Sequence, residues 1–318
     1  MQQARNPNFP ENLDILPSRR PDGGEPGLDS VLDADSQKDA IEKYGIAGRV
    51  WEAAYLMLSY MEGSPKHEFD PPFLAQNNRQ NVVLELGSGT GILGVKLAQV
   101  LSPNDLVILT DLPDVCPLLR ETIEKHNHRD APNPTSAGLM VRALPWGSSN
   151  HASRIASDLG LSFVNGVDYP RHLTRIICSD LVYFPELLAP LLRSLIELSS
   201  PPFVPIASRH DLEIIISYKI RSLSKESPFW NAFGIWFTFY PVMIRSTSID
   251  NPRTWRRLGS SATEDHSFVF IARRRPESFS WTMPQNDSDL MNGFGTPWSS
   301  DEQFETLLLT AFDDEEDS

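Results

Sequence analysis

The fold of this chain is decided by the segment Val82-Val83-Leu84-Glu85-Leu86-Gly87-Ser88-Gly89-Thr90-Gly91. Its first five residues form a mostly apolar, β-branched run of the kind found in buried strands. Glycines at alternate positions then permit a backbone with positive φ and let a ligand approach without interference from a Cβ atom. Residues 92–101 have the periodicity of an amphipathic helix. The segment therefore predicts a strand, a glycine-rich loop and a helix whose N-terminal N–H groups suit a carboxylate or phosphate.

An acidic residue follows the glycine loop at an informative distance. Asp111 closes the next predicted strand, 20 residues after Gly91. In an α/β sheet this position presents a carboxylate to ribose hydroxyls, and one such charge-assisted hydrogen bond contributes about 1.5–3 kcal/mol. We therefore expect Asp111 to bind the ribose of a ligand held by the loop.

Strands and helices alternate along the rest of the chain. The predicted strands cover residues 82–86, 106–109, 139–144, 174–178, 203–207, 239–244 and 268–272. The predicted helices cover residues 92–101, 114–126, 186–198 and 212–223, after a helical N-terminal extension at about 36–61. This alternation predicts an α/β fold with a doubly wound, mostly parallel seven-stranded sheet. The last two strands are joined by a short link without a clear helix, so we expect them to form an antiparallel hairpin at the sheet edge.

Composition divides the chain into three parts. We predict a disordered N-terminus over residues 1–35, a folded domain over 36–275, and an acidic, mostly disordered tail over 276–318. The formal net charge is −14, and the tail holds 11 acidic residues and no Lys or Arg. The remaining 31 of 42 acidic residues are balanced by 28 basic ones, without a basic patch. We therefore expect no nucleic-acid partner.

Several features of the sequence predict an intracellular protein. Its two cysteines, Cys116 and Cys178, lie in apolar surroundings typical of reduced core thiols. Residues 227–244 carry no charge, but Pro228 and Pro241 favour a helix–strand pair over a membrane span. The N-terminus has no apolar stretch of the kind found in a secretory signal. We expect a soluble protein of the cytoplasm, with the nucleus as the alternative, and no membrane partner.

The glycine loop by itself allows three interpretations. Gly89, Gly91 and Gly94 match the dinucleotide fingerprint, which would place an NAD(P) site here. That interpretation extends the strand through Gly87 and buries the acidic Glu85 within it. A purely structural turn is the second interpretation. In the third interpretation, residues 85–91 resemble the first motif of the seven-strand methyltransferases, because an acid lies two residues before the first glycine.

A second block lies at the end of the fourth predicted strand. Ser179, Asp180 and Tyr183 follow this strand, and Asp and Tyr at this spacing can point into one pocket. Alternatively, Asp180 caps the following helix and Tyr183 packs in the core. Two tryptophans add to the pattern, because Trp51 and Trp146 offer flat faces for an adenine ring or a cationic sulfonium.

The four blocks together, at residues 50–54, 85–91, 144–147 and 180–183, resemble the protein-lysine branch of methyltransferase family sixteen. The resemblance covers about residues 36–275 and implies a Rossmann-like domain that binds S-adenosylmethionine (SAM). It also implies that Asp180 and Tyr183 form the catalytic opening for a target lysine. The residues implied to bind the cofactor are Trp51, Glu85, Gly87, Ser88, Gly89, Gly91, Asp111, Trp146 and Ser179.

The resemblance further implies a protein substrate, such as a translation elongation factor, a chaperone or an ATPase. Methyl transfer from a sulfonium to nitrogen is a direct displacement, so we expect no metal site and no covalent intermediate. Two other classes of function remain open from the sequence. One is a small-molecule N- or O-methyltransferase, and the other is a non-catalytic interaction module with the same fold.

Overall fold

The computed structural model describes residues 8–10, 13–20, 33–74, 80–129, 136–161, 171–248, 254–260 and 266–316. Its helices are α1 (Ala34–Tyr44), α2 (Glu52–Glu62), α3 (Ile92–Val100), α4 (Cys116–Arg129), α5 (Ser149–Asp158), α6 (Pro185–Leu198), α7 (Leu223–Trp236), α8 (Asp287–Met291) and α9 (Gln303–Glu316). Its strands are β1 (His67–Asp70), β2 (Val82–Leu86), β3 (Leu106–Asp111), β4 (Gly138–Ala143), β5 (Arg175–Ser179), β6 (Glu213–Lys219), β7 (Phe237–Pro241), β8 (Met243–Ser246), β9 (Arg256–Arg257) and β10 (Ser267–Arg274).

The main sheet has seven strands in the order β4-β3-β2-β5-β6-β10-β7. Neighbouring strands from β4 to β6 are parallel, whereas β10 is antiparallel to both β6 and β7. The strand order changes direction between β2 and β5, and ligands of doubly wound sheets bind at the carboxyl ends of the strands beside such a point. The predicted fold class is confirmed, including the antiparallel pair at the sheet edge.

Both faces of the sheet are covered by helices. Side chains of a strand alternate between faces, so Val83 packs in one hydrophobic cluster and its neighbour Leu84 in the other. The Val83 cluster contains residues of α2, α3 and α4. The Leu84 cluster contains residues of α5, α6, α7, α8 and α9. This double coverage explains why β2 and β3 are buried along their whole length and read as continuous apolar runs.

The uncharged aromatic segment forms a helix followed by a strand, as predicted. Helix α7 buries Phe229, Trp230, Phe233 and Trp236 in the core, and β7 follows it directly. None of the helices in the described part of the chain combines the length and apolar character needed to cross a bilayer.

Two predicted elements are wrong. Residues 203–207 do not form a strand: Phe203 and Val204 are buried in a turn, and Pro205 precedes a 3₁₀ turn at Ile206–Ser208. Proline lacks the backbone donor that a central strand needs. Residues 212–223 were expected to be helical but contain β6 instead. This strand lies between β5 and β10 and is buried on both faces, and periodicity cannot separate such a run from a buried helix.

The predicted strand at residues 239–244 is divided between two sheets. Its first part belongs to β7, and the chain then leaves the main sheet at the buried Val242. Strand β8 continues in a separate three-stranded sheet with the order β1-β8-β9. The link between β7 and β10 contains no helix in its described residues, and the two strands pair as expected.

The C-terminal segment is ordered where a disordered tail was expected. Within residues 276–316 the chain forms a 3₁₀ turn at Pro276–Ser280 and helices α8 and α9. Leu290 and Phe304 are completely buried in the main core, and Arg275 pairs with Asp301 at 2.9 Å. The prediction of disorder rested on composition, and it is wrong for these residues because a few buried apolar side chains suffice to anchor an acidic segment. The folded unit therefore extends well beyond residue 275.

The structure describes part of the N-terminal region. Helices α1 and α2 form the predicted helical extension, with a 3₁₀ turn at the two glycines between them. The disorder predicted for residues 1–35 falls mainly on residues outside the described part of the chain. Residues 13–20 do contact the domain through Ser18. The Ser18 hydroxyl lies 3.0 Å from the Tyr55 hydroxyl, and the Ser18 backbone N–H donates to the side-chain oxygen of Gln37.

Candidate active site

A cavity of about 580 Å³ lies at the carboxyl ends of the parallel strands. Its wall is formed by the glycine loop after β2, the end of β3, the segment after β4, and the segments after β5 and β6. The predicted site residues that line it are Trp51, Glu85, Gly87, Ser88, Gly89, Asp111, Trp146, Ser179, Asp180 and Tyr183. Residues far apart in the sequence therefore meet in one place, as the strand topology requires.

Gly91 is the one predicted site residue that the structure does not place on the cavity wall. It has a φ of 78° at the start of α3, and a Cβ atom there would lie 3.0 Å from a methyl group of Leu119. Its glycine is explained by the turn and by close packing against α4. Gly87 has a φ of 58° and faces the cavity, where an added Cβ atom would lie 2.8 Å from Leu181 and 3.1 Å from Trp146. Only glycine fits between these side chains.

Asp111 connects the end of β3 to the glycine loop. Its carboxylate accepts a hydrogen bond from the Gly89 N–H at 2.8 Å and another from the Leu112 N–H at 2.7 Å. Burial raises the pKa of Asp111 to about 6, and the two N–H donors act in the opposite direction. The carboxylate is therefore mostly ionised at neutral pH and holds the loop against the strand.

Glu85 lies within β2 beneath the loop and is buried. Burial raises the pKa of Glu85 to about 8, and the nearby Asp111 carboxylate adds to this effect. Its Oε2 atom has no hydrogen-bond partner among the described residues, although the side chain lines the cavity. A buried polar atom without a partner is costly, so this carboxyl oxygen suits a ligand that brings a polar group to it.

Asp180 has an unusual backbone and a buried side chain. Its φ of 61° is the one positive value at a non-glycine residue in the described part of the chain. Such conformations persist where the surrounding structure enforces them, and they cluster at functional sites. The Asp180 N–H donates to the Ser217 carbonyl on the neighbouring strand at 2.8 Å, which holds the residue in place.

The alternative role of Asp180 as a helix cap is wrong. Helix α6 begins at Pro185, and its N-cap residue is Phe184, with no side-chain cap. The Asp180 carboxylate instead forms an ion pair with Arg221, in which two guanidinium nitrogens donate to its two oxygens. Burial raises the pKa of Asp180, and the Arg221 guanidinium counteracts part of that effect.

Sequence reasoning missed Arg221. This residue lies just beyond β6, whose carboxyl end meets the same sheet edge as that of β5. The error at residues 212–223 concealed it, since a helix there would not have ended at the cavity. The apolar run Ile214–Ile216 was the signal that could have located Arg221, had it been interpreted as a buried strand.

Aromatic side chains complete the wall around Asp180. Tyr183 packs edge-to-face on Trp146 with ring centroids 6.3 Å apart, and on Phe184 at 4.8 Å. Burial raises the pKa of the Tyr183 phenol, so its hydroxyl stays protonated at neutral pH. Trp51 donates its indole N–H to the Ile46 carbonyl at 3.0 Å. The Ser179 hydroxyl accepts a hydrogen bond from the Ser217 hydroxyl at 3.0 Å.

The N-terminal segment also reaches this cavity, which the sequence did not indicate. Asn8 and Leu13 line it, and the Asn8 carbonyl accepts a hydrogen bond from the Ile46 N–H at 2.9 Å. A Cβ atom on Gly45 would overlap this carbonyl, so the glycine permits the close contact. The cavity is therefore closed partly by residues that precede the main domain.

Comparison with known proteins identifies the family. The lysine methyltransferase family model matches residues 33–233, which include all the predicted site residues and Arg221. The match covers more than half of the chain, so the chain belongs to the lysine methyltransferase family. The NAD(P) interpretation of the glycine loop is thereby wrong.

Individual relatives match about half of this chain. EEF1A lysine methyltransferase 3 of Mus musculus is 31% identical over 50% of this chain and 53% of its own length. Protein N-lysine methyltransferase METTL21A of Xenopus tropicalis is 29% identical over 52% and 62%. Protein-lysine N-methyltransferase EFM6 of Saccharomyces cerevisiae is 28% identical over 51% and 63%. The chain thus spans between about half and just under two thirds of the length of these relatives.

SAM is the cofactor that family membership implies, and the cavity fits it. The glycine at position 87 leaves space that a larger residue would fill. Glu85 Oε2 is a buried polar atom with no hydrogen-bond partner in the described part of the chain. A carboxylate oxygen can accept two hydrogen bonds, and each Asp111 oxygen accepts one from the described backbone, so acceptor capacity remains for hydroxyl groups.

Proposed function

We propose that this protein is a protein-lysine N-methyltransferase that transfers a methyl group from SAM to a lysine side chain. The observation that carries the proposal is the buried Asp180 carboxylate, which lines the same cavity as the glycine loop and the aromatic residues Trp51, Trp146, Tyr183 and Phe184. A cation or amine fits between a carboxylate and aromatic faces. The three relatives named above are all called lysine methyltransferases, which supports a lysine acceptor.

The main barrier to this reaction is the proton on the target lysine. A free lysine has a pKa near 10.4, so the neutral amine costs about 4.6 kcal/mol at pH 7. When bound, SAM would supply an electrophilic methyl group on a positively charged sulfur, which is the leaving group for attack by the neutral amine. A buried site beside a positive charge lowers the pKa of the amine and favours the reactive form.

We assign the residues of the cavity roles that follow from their positions. Asp180 accepts a hydrogen bond from the amine and orients it, which is positioning rather than strong base catalysis. Tyr183 and Trp146 form an apolar wall beside it that excludes water. Asp111 and the glycine loop hold the cofactor, with Glu85 as a buried polar group beneath it and Trp51 and Ser179 completing the wall.

The binding role of Asp111 leads to a direct prediction. Replacing Asp111 with alanine is expected to weaken SAM binding roughly 10- to 150-fold, since one charge-assisted hydrogen bond contributes about 1.5–3 kcal/mol. Isothermal titration of the wild type and the variant with SAM measures the change.

Asp105 is the matched control for this experiment. It lies just before β3, at the opposite end of the same strand, and is also a buried carboxylate that accepts backbone N–H groups, from Asn81 at 2.6 Å and Ser102 at 2.9 Å. Asp105→Ala is expected to lower stability but to leave SAM affinity unchanged in the folded protein. Equal loss of affinity in both variants would refute a specific role for Asp111.

The proposed function is tested with tritiated SAM. The purified protein is incubated with a cell lysate, the labelled band is isolated, and mass spectrometry maps the methylated residue. We expect label on a lysine of one or a few proteins. Because the mouse relative is named for EEF1A, this elongation factor is the first purified substrate to assay. Label that appears only in small molecules would replace the proposal with a small-molecule methyltransferase.

The proposal extends to where the protein acts. We place its substrate in the cytoplasm or nucleus, the compartments expected from its reduced cysteines. Cys116 and Cys178 are both buried and unpaired in disulfides. Fractionation of cells before the labelling assay, followed by comparison of labelled bands, tests this assignment.

A further inference from the structure

Arg221 is placed to act on Asp180. Its two terminal guanidinium nitrogens donate to both carboxylate oxygens, a bidentate arrangement that fixes the plane of the carboxylate. Arg221 also donates to the Lys219 carbonyl at 3.1 Å and to Glu52 at 3.3 Å. Its guanidinium lies 5.3 Å from the ring centre of Trp51. The arginine is therefore held by several elements and is a rigid support for Asp180.

The charges around this pair are nearly balanced. Glu52 faces Arg221 and is itself paired with Arg49. The Arg49 guanidinium also lies over Trp51, 4.5 Å from the ring centre. The positive charge of Lys219 also favours the ionised form of Glu52. The remaining groups that face the pair are Glu226, Tyr218 and Tyr183, and Lys225 lines the same cavity.

Among the described residues, these neighbours leave no unpaired negative charge beside Asp180. Glu226 accepts hydrogen bonds from the backbone N–H groups of Arg221 at 3.2 Å and Ser222 at 2.9 Å, and from the Tyr218 hydroxyl at 2.5 Å. Burial raises the pKa of both tyrosines, so they are neutral at physiological pH. The acidic groups Asp180, Glu52 and Glu226 are thus each matched by a base or by several donors.

We propose that Arg221 is a positioning residue of the acceptor site: it orients the Asp180 carboxylate and cancels its charge, so that the bound target lysine loses its proton at a lower pH than it would beside an unpaired carboxylate. This inference deepens the proposed function and rests on it. An isolated carboxylate in a buried site would attract and stabilise the ammonium form, which cannot attack a methyl group. Paired with Arg221, the same carboxylate still accepts a hydrogen bond but no longer favours the charged form.

The pH dependence of turnover tests this role. The wild type is expected to show kcat rising with pH as the bound lysine loses its proton. Arg221→Gln frees the Asp180 charge, so the midpoint of this rise should move up by about one pH unit or more, with kcat at pH 7 falling about 10-fold and KM not increasing. Arg221→Lys keeps a positive charge beside Asp180 and should keep the wild-type midpoint, with a lower kcat because bidentate contact is lost.

A double variant and a surface control separate this role from simple stabilisation. Asp180→Asn/Arg221→Gln removes both charges, so its midpoint should return to the wild-type value. Arg245→Gln removes another ion-paired arginine, which contacts Glu68 at 2.6 Å and Trp255 at 4.5 Å outside the cavity. We expect its pH profile to match the wild type. A purely structural role for Arg221 predicts an unchanged midpoint in every variant, and that result would overturn the proposal.

Melting temperatures provide a readout that needs no substrate. Arg221→Gln leaves a buried charge without its partner and should lower Tm more than the double variant does. If the wild type labels a lysine but the midpoint does not move, the role of Arg221 fails and the proposed function stands. If the wild type labels no lysine, the proposed function fails and this inference with it, while the melting data still report on the ion pair.

Discussion

Replacing Asp180 with asparagine is expected to lower turnover about 100-fold or more while the protein stays folded and binds SAM. Asparagine keeps the size of the side chain and tolerates the positive φ of this position. It lacks the charge that pairs with Arg221 and offers the amine a weaker acceptor. The loss should therefore appear in kcat, because orientation of the amine is needed at the reaction step.

The measurement is turnover of the labelled protein substrate, together with the melting temperature and SAM affinity of the same preparation. Asp158→Asn is the matched control, because Asp158 pairs with Arg142 on the surface and does not line the cavity. It should leave turnover unchanged. Near-wild-type turnover of Asp180→Asn would refute the positioning role.

The second large effect is expected at Phe304. This side chain is 0% exposed and stacks on Trp230 with ring centroids 4.9 Å apart. It also contacts Tyr218 and Phe270. Phe304→Ala removes a buried aromatic side chain and leaves a cavity, so it should lower the free energy of unfolding by about 3–5 kcal/mol. Chemical denaturation measures this difference.

Leu309 is the matched control on the same helix. Its side chain is 68% exposed, so Leu309→Ala should change stability by less than about 0.5 kcal/mol. Truncation after Arg275 removes Leu290 and Phe304 together and should cost at least as much as Phe304→Ala. A truncated protein that melts like the wild type would show that the segment after residue 275 is dispensable for folding.

Much of the fold could be predicted from local signals. The run from Val82 to Leu86, followed by alternating glycines, indicates a strand, a loop and a helix whatever the rest of the chain does. Asp111 was placed beside the loop by its spacing alone, and the carboxylate does accept the Gly89 N–H. Parallel strands meet with their carboxyl ends at one edge, so Asp111, Trp146 and Asp180 were expected together and do line one cavity.

The wrong predictions lie where the local sequence pattern fits more than one structure. Strand β6 is buried on both faces, and its isoleucines suit a buried helix equally well. The acidic segment after residue 275 was predicted to be disordered because composition does not reveal that Phe304 finds a pocket of aromatic rings. In both cases the deciding interaction is with residues distant in the sequence.

The sequence alone determined most of the alternation of strands and helices and the glycine loop, because these depend on periodicity and on backbone freedom at glycine. Its resemblance to a known family implied most of the residues around the cavity. The tertiary structure alone decided the partner of Asp180. Arg221 is 41 residues away in the chain, and only the pairing of β5 with β6 brings its guanidinium to the carboxylate. A buried charge takes the partner that the packing of neighbouring strands supplies, and that partner sets its chemistry.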